Sequence, residues 1–162
     1  MMTSVSYFNS AVGPLRISAD EAGITEVHFS SDQGCGENGD HPFLRECKLQ
    51  LEKYFSGKLQ EFTVPLHPSG TEFQLKVWKA LLDIPYGKTI SYLDLAVTVG
   101  DKNSTRAVGS ANGKNPIAII IPCHRVIGHN GKLTGYGGGL WRKEWLLEHE
   151  GVLQRSKQAS LF

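Results

Sequence analysis

Short runs of alternating apolar and polar residues open the chain and predict strands. Three such runs, Val5–Phe8, Leu15–Ala19 and Ile24–Phe29, are separated by Gly13-Pro14 and by Glu21-Ala22-Gly23. Both separators are typical turn sequences. Three short strands joined by tight turns predict an antiparallel meander.

The pattern then changes to a helical one. Residues 30–40 are rich in glycine and acidic side chains and predict a mobile loop. Apolar positions recur at helical spacing from His41 to Phe55, and Gly57 follows as a stop signal. Phe62–Val64 reads as a short strand, and Pro65–Gly70 as a connector.

The second half predicts helices first. Thr71–Gln74 fits a capping box, and the apolar stripe of the helix that follows consists of Phe73, Val77, Leu81 and Ile84.

Two further helices are predicted close together. Ser91 caps one that runs to Val99, with Gly100 after its end, and Ser104 caps a short one that runs to about Ala111. A helix, a four-residue turn and a second helix match the spacing of a helix-turn-helix.

The remaining elements follow from local signals. In chain order we expect a buried strand Ala118–Ile121, a strand Arg125–Ile127, a type I′ hairpin at Asn130-Gly131, a glycine-rich loop Thr134–Gly139, a helix Leu140–Glu150 with Gly151 as its C-cap, and a frayed tail over residues 152–162.

Length and composition fit a soluble globular protein. The 162 residues are 40% hydrophobic and 20% charged, enough for one domain or two small ones that share a core. The longest apolar run, Ile117–Ile121, is too short to span a bilayer. The N-terminus has neither a basic nor an apolar signal region, so we expect a cytoplasmic protein.

The net charge of +1 is unevenly distributed. Residues 1–69 carry −4, residues 70–151 carry +3 and the tail carries +2. Between Lys88 and Arg142 seven basic residues face only Asp94 and Asp101. This surplus indicates a polyanionic partner, with a solvated helix face as the alternative.

The three cysteines cannot all pair, and no CxxC occurs, which argues against a disulfide scaffold and predicts at least one free thiol. Cys35 lies in the glycine-rich loop and Cys47 on an apolar helix stripe, so both are predicted to be structural. Together with His28 and His41 they match no zinc spacing, and we expect no metal.

Cys123 differs from the other two cysteines. It ends an apolar run after Pro122 and precedes His124 and Arg125, whose side chains favour the nucleophilic thiolate. Neighbouring residues in a strand point to opposite faces, so contact between Cys123 and His124 requires a turn or a water. The alternative is a small buried residue beside a surface His-Arg pair.

The segment Ile121–Val126 resembles the active-site signature of the O6-alkylguanine-DNA alkyltransferases. Other motifs follow in that family's order and spacing: Ser91-Tyr92, Arg106–Gly109, Asn115-Pro116, Tyr136–Leu140 and Lys143–Leu147. The resemblance covers about residues 71–151 closely and the first segment in outline.

The resemblance implies an α+β fold. It consists of a small N-terminal ribonuclease-H-like α/β domain, residues 1–69, and a mainly helical, winged helix-turn-helix-like alkyltransferase domain, residues 70–151, followed by the tail.

The implied activity is single-turnover DNA repair without a cofactor. The damaged guanine is flipped out of double-stranded DNA, and Cys123 takes the alkyl group from its O6; O4-alkylthymine is left open as a second substrate. His124 acts as base through a water, and Glu150 holds the far nitrogen of His124. Tyr92 donates to N3 of the purine, and Asn115 braces the turn that holds the cysteine.

Two of these assignments have an alternative in which the residue has only a structural role. Glu150 could be a surface carboxylate at a helix end, and Tyr92 an aromatic residue packed behind a helix cap.

The resemblance also implies a substrate pocket and a DNA-binding helix. The pocket is lined by Val126, Tyr136 and Gly137; Gly137 replaces a serine of mammalian members. A monomer would bind the minor groove, with Arg106 filling the stack that the flipped base leaves. The helix residues Ser104, Thr105, Ala107, Gly109 and Ser110 would lie against DNA. The alternative is a small-residue helix packed in the core, with Arg106 as a surface charge.

Three other classes compete. A lesion binder of this scaffold would lack the nucleophile, and a helix-turn-helix regulator needs no Cys-His pair. A cysteine hydrolase needs an oxyanion site, for which we find no signal.

Overall fold

The computed structural model describes residues 3–31 and 39–153. The chain divides into two compact units: Met1–Leu75 with Asn115–Ile121, and Lys76–Lys114 with Pro122–Phe162. Cys35, most of the predicted loop at 30–40 and most of the tail lie outside the described residues.

The first unit begins with the predicted meander. Strands β1 (Ser4–Ser10), β2 (Gly13–Ala19) and β3 (Ile24–Phe29) pair antiparallel in that order. Helix α1 (Pro42–Phe55) packs on this sheet. It buries Leu44, Cys47, Leu51 and Tyr54, which lie at the helical spacing that the sequence showed.

The strand predicted at Phe62–Val64 is absent. Helix α1 supplies the partner instead: the side-chain Oε1 of Gln50 accepts hydrogen bonds from the backbone N–H groups of Thr63 (3.0 Å) and Val64 (3.2 Å). Because a buried amide satisfies this backbone, the segment needs no ladder.

The buried strand predicted at Ala118–Ile121 is also wrong, although the residues are buried as expected. The amide of Asn115 accepts from the N–H of Ile117 (2.9 Å) and donates to the carbonyl of Ile121 (2.8 Å). Ile119 turns the chain at φ 73°. Local hydrogen bonds thus fold this apolar run into turns, with a single bridge from Ile117 to Val27.

The other elements are mostly helical. They are α2 (Glu72–Leu81), β4 (Ile90–Ser91), α3 (Tyr92–Val99), α4 (Thr105–Gly113), β5 (Val126–Ile127) and α5 (Leu140–His149), with 3₁₀ turns at Lys102–Ser104 and Cys123–Arg125. Strands β4 and β5 pair in parallel. A three-stranded sheet with one helix, followed by a mainly helical half, confirms the α+β class.

The capping signals of two helices are confirmed. Thr71 and Gln74 exchange side-chain and backbone hydrogen bonds at the start of α2. Ser91 and Asp94 do the same at α3, which ends at Gly100 with φ 122°. The stripe of α2 differs from the prediction, because Phe73 is exposed and Trp78 is buried.

Ser104 does not cap α4. Its hydroxyl donates to the carbonyl of Asp101 (2.6 Å), and Asp101 caps the 3₁₀ turn that precedes α4. The helix-turn-helix therefore has an extra helical turn in its connection.

The type I′ turn predicted at Asn130-Gly131 is also wrong. The N–H of Gly131 donates to Gly128 (3.0 Å), which makes His129 and Asn130 the central residues. A type I′ turn requires positive φ at both. Among the described non-glycine residues only Ile119 has one.

Candidate active site

Cys123 begins a 3₁₀ turn immediately after Pro122. The turn is closed by the N–H of Arg125, which donates to the carbonyl of Pro122 (3.0 Å). Proline fixes its own φ and has no backbone N–H to donate, so Pro122 separates the preceding apolar run from this turn. The turn replaces strand geometry and allows Cys123 and His124 to serve one site.

His124 is fully buried and bonded to Glu150. Its Nε2 lies 2.7 Å from Oε2 of that carboxylate. An ionised carboxylate only accepts, so Nε2 carries the hydrogen and Nδ1 is the acceptor in the neutral ring. Burial lowers the pKa of His124, against the opposing effect of Glu150, and thus favours that neutral ring. An acceptor Nδ1 can take a proton.

Glu150 follows the last residue of α5 and is buried, not a surface carboxylate. Arg125 binds it with two nitrogens: Nε lies 2.7 Å from Oε1 and Nη2 lies 3.1 Å from Oε2. Burial alone would raise the pKa of Glu150, but the hydrogen bonds and charges of His124 and Arg125 lower it to about 2. The carboxylate is therefore a fixed anion that orients His124.

Arg125 is anchored twice. Besides Glu150, its Nη1 donates to the carbonyl of Ile84 (2.7 Å). His124 and Arg125 are thus interior residues, which contradicts the alternative of a surface His-Arg pair beside a structural cysteine.

Two polar side chains from the C-terminal part of the chain interact electrostatically with Cys123. Burial, and then the charge of a Cys123 thiolate, raise the pKa of Tyr136 well above its usual range. Tyr136 therefore keeps its proton and can donate to sulfur. Burial lowers the pKa of Lys143 to about 8, while Cys123 acts in the opposite direction. Both groups favour a thiolate at Cys123.

Lys143 also holds the backbone around the site. Its Nζ donates to the carbonyls of Val126 (2.7 Å) and Thr134 (2.8 Å), although the residue is completely buried. It thereby ties β5 to the loop that precedes Tyr136 and Gly137.

Gly137 is exposed in that loop. A Cβ added there would meet only the carbonyl of Gly113, at an ordinary 3.9 Å. Space therefore does not exclude a serine at this position.

Tyr92 and Asn115 lie in different units. Tyr92 begins α3, with its ring packed on Gly109 of α4 and its centroid 6.0 Å from Nζ of Lys143. The side-chain hydrogen bonds of Asn115 go to Ile117 and Ile121, so it braces the turns that lead to Pro122 and not, as predicted, the turn that contains Cys123.

Helix α4 exposes one face and buries the other. Val108, Ala111 and Asn112 are buried, whereas Arg106, Ala107 and Ser110 are exposed. Thr105, Gly109 and the preceding Ser104 are partly buried. Arg106 thus stands on an exposed face together with the small residues Ala107 and Ser110, while the opposite face of α4 packs in the interior.

Comparison with known families matches both halves of the chain. Residues 72–152 match the 6-O-methylguanine DNA methyltransferase DNA-binding domain. Residues 4–68 match the ribonuclease-like domain of the same family. The chain belongs to the 6-O-methylguanine DNA methyltransferase family.

Members of this methyltransferase family resemble the chain over most of its length. A methylated-DNA–protein-cysteine methyltransferase from Mycobacterium bovis is 63% identical over 154 residues, 88% of either chain. One from Methanosarcina acetivorans is 51% identical over 149 residues, 89% of this chain and 96% of its own. The crystal structure of Mycobacterium tuberculosis OGT in complex with DNA superposes with a TM-score of 0.80 at 48% identity, covering 89% of this chain and 91% of that one.

Sequence reasoning missed three polar residues of this methyltransferase site. They are Arg125 as a partner of Glu150, Lys143 as a backbone tie and Asn112, whose Nδ2 lies 3.5 Å from the carbonyl of Cys123. Helical spacing could have found two of them. Lys143 shares the buried stripe of Leu146 and Leu147, and Asn112 that of Val108 and Ala111.

Within the described ranges no group of three or more His, Cys, Asp or Glu side chains could hold a metal ion. In that same part of the chain, no helix is both long and apolar enough to cross a bilayer.

Proposed function

We propose that the chain is a direct-reversal DNA repair protein that moves the alkyl group of O6-alkylguanine in DNA onto its own Cys123. The observation that supports this most directly is the buried turn that places Cys123 next to the His124–Glu150 pair. Family membership supports the reaction class, and the exposed face of α4 supports DNA as the partner.

The chemistry is a single displacement. The proton of the Cys123 thiol passes through a water to Nδ1 of His124, and Glu150 stabilises the resulting imidazolium. The sulfur forms a bond to the alkyl carbon while the carbon–O6 bond breaks, and the electron pair stays on the guanine. Because the thioether cannot be displaced again, each chain reacts once, and no cofactor is required.

The other site residues serve binding. Tyr92 donates to N3 of the purine, and Asn115 braces the turns before the nucleophile. Val126, Tyr136 and Gly137 line the pocket for the flipped base. Burial and the charge of the Cys123 thiolate keep Tyr136 protonated, so it can also donate to the sulfur.

Helix α4 enters the minor groove of double-stranded DNA. Arg106 replaces the extruded base in the stack, and Ser104, Thr105, Ala107, Gly109 and Ser110 allow close approach. Residues 70–151 carry both DNA binding and chemistry, and residues 1–69 form the ribonuclease-like domain. The protein acts as a monomer in the cytoplasm.

A lesion binder without chemistry is the second candidate function. Such a protein needs no nucleophile, whereas this chain keeps a thiol together with a buried base and carboxylate. That arrangement favours transfer over binding alone.

Intact-mass measurement tests the function. After incubation with methylated duplex DNA, the wild-type chain gains one methyl group on Cys123, and Cys123→Ala gains none while it still binds DNA. Cys47→Ala is the matched control, because burial raises the pKa of that thiol to about 12 and makes it unreactive. Methyl transfer by Cys123→Ala would refute the mechanism.

A further inference from the structure

Two buried polar atoms near the nucleophile have no hydrogen-bond partner among the described residues. They are Nδ1 of His124 and Oδ1 of Asn112. Both residues are more than nine-tenths buried. A buried polar atom left unsatisfied costs about 1–3 kcal/mol, so such atoms call for an explanation.

The identity of both atoms follows from their neighbours. Nε2 of His124 donates to Glu150, so Nδ1 is an acceptor. The carbonyl of Cys123 only accepts, so the atom of Asn112 that lies 3.5 Å from it must be the nitrogen. The remaining atom, Oδ1, is then also an acceptor.

The two acceptors belong to residues joined to Cys123. His124 is the next residue in the turn, and Asn112 reaches the Cys123 carbonyl from the buried face of α4. A water molecule has two hydrogens and two lone pairs. It can therefore donate to both acceptors while it accepts from the thiol.

We propose that Asn112 is a positioning residue that holds the proton-relay water of Cys123 through its Oδ1. The inference rests on the proposed alkyl transfer. One hydrogen of the water points to Oδ1 of Asn112 and stays there. The other points to Nδ1 of His124 and moves to it as the thiol proton moves to the water. Without Asn112 the water keeps one anchor fewer and is less often aligned for transfer.

The test uses variants at Asn112 that differ in polar atoms. Asn112→Leu has a similar size and no acceptor, while Asn112→Ser keeps a hydroxyl. Val108→Ala removes buried packing from the same helix face one turn earlier and serves as the control. Methyl transfer from O6-methylguanine base to Cys123 is followed by intact mass in single-turnover reactions over a series of pH values.

We expect Asn112→Leu to react about 10-fold more slowly, a part of the roughly 100- to 10,000-fold that general-base catalysis contributes. The rate of this variant also rises more steeply with increasing pH, because the Cys123 thiolate must then form without the proton relay. Asn112→Ser is intermediate, and Val108→Ala melts lower but keeps the wild-type rate and pH profile.

A purely structural role for Asn112 predicts a different result. Asn112→Leu would then match Val108→Ala, with a lower melting temperature and an unchanged pH profile, and this result would overturn the inference. If Asn112→Leu does not fold, a wild-type profile for Asn112→Ser does the same. Failure of the wild-type chain to take up a methyl group would refute the proposed function instead.

Discussion

Single residues in the buried ion network control how stability responds to pH. The pKa of His124 lies below its ordinary 6.5, and that of Glu150 is about 2 instead of 4.5. The folded chain therefore binds fewer protons than the unfolded chain. The contribution of these two groups to stability is complete above about pH 6.5 and decreases as the pH falls, first through His124 and, below pH 4.5, also through Glu150.

Glu150→Gln tests this network. The variant leaves Arg125 buried without its carboxylate, and we expect it to lower the free energy of unfolding by about 3–5 kcal/mol at neutral pH. Its stability should also depend less on pH below pH 4.5. Urea unfolding at several pH values measures both effects, with Glu52→Gln on the exposed face of α1 as control. Identical pH curves for Glu150→Gln and the wild type would contradict the assignment.

Ile119 holds a backbone conformation that β-branched residues rarely adopt, with φ 73°. Ile119 and Ile121 are equally buried, at 1% exposure. Substitution by glycine removes the same side chain from each but relieves strain only at Ile119. We expect Ile119→Gly to destabilise the chain by about 1–3 kcal/mol less than Ile121→Gly in chemical denaturation. Equal losses would show that the turn is unstrained.

The same run of residues shows what sequence patterns can predict. Ile117–Ile121 is buried as its hydrophobicity indicates, but the secondary structure depends on the side chain of Asn115. The side chain of Gln50 similarly accepts the backbone hydrogen bond of Thr63 that a neighbouring strand would otherwise accept. Apolar periodicity reports burial, whereas a side chain that satisfies the backbone leaves no periodic signal.

The candidate site was predictable to a similar extent. The motif around Cys123 predicted a nucleophile there with His124 beside it, and the resemblance added Glu150, which the structure places against His124. The pairing of Arg125 with Glu150 spans 25 positions and has no local signal. Adjacent basic residues in a sequence are usually exposed, and nothing local in this sequence indicates that His124 and Arg125 are buried.

At the level of elements, α4 carries the proposed base-flipping function. Arg106 stands exposed on its small-residue face. Flipping costs a few kcal/mol, and an arginine in the vacated stack offsets part of this cost. Arg106→Ala should therefore slow repair in duplex DNA far more than reaction with free O6-methylguanine. Single-turnover rates on the two substrates measure the difference.

The matched control is Lys102→Ala, which removes an exposed cation just before the same helix. It should change both rates only slightly. An equal loss on duplex and free base for Arg106→Ala would assign the arginine another role.

At the scale of the whole molecule, the basic surplus is smaller than the sequence count. The charge of Arg125 is neutralised by Glu150 in the interior. Five basic residues of this segment are exposed: Lys88, Lys102, Arg106, Lys114 and Lys132.

Because these exposed cations are expected to contact phosphates, binding to undamaged duplex DNA should weaken steeply as the salt concentration rises. Lys114→Ala should reduce the slope of log K against log salt by about 0.9 if that lysine contacts one phosphate. Lys58→Ala, exposed in the other unit, should leave the slope unchanged. A slope near zero for the wild type would refute phosphate-led binding.

The reacted protein should be less stable than the unreacted one. Cys123 is 7% exposed, and its turn is fixed by hydrogen bonds and the buried network. An added alkyl group has to fit among these packed atoms, and overfilling a packed site costs roughly 1–3 kcal/mol. The thioether also cannot become the anion that Tyr136 and Lys143 stabilise. We therefore expect the alkylated chain to melt at a lower temperature and to bind DNA less tightly.

Calorimetry and DNA titration on matched alkylated and unreacted samples measure both changes. Cys123→Ala, which can neither react nor overfill the site, shows how much of each change comes only from loss of the thiol. An alkylated chain that melts at or above the temperature of the unreacted chain would mean that the site has room for the alkyl group.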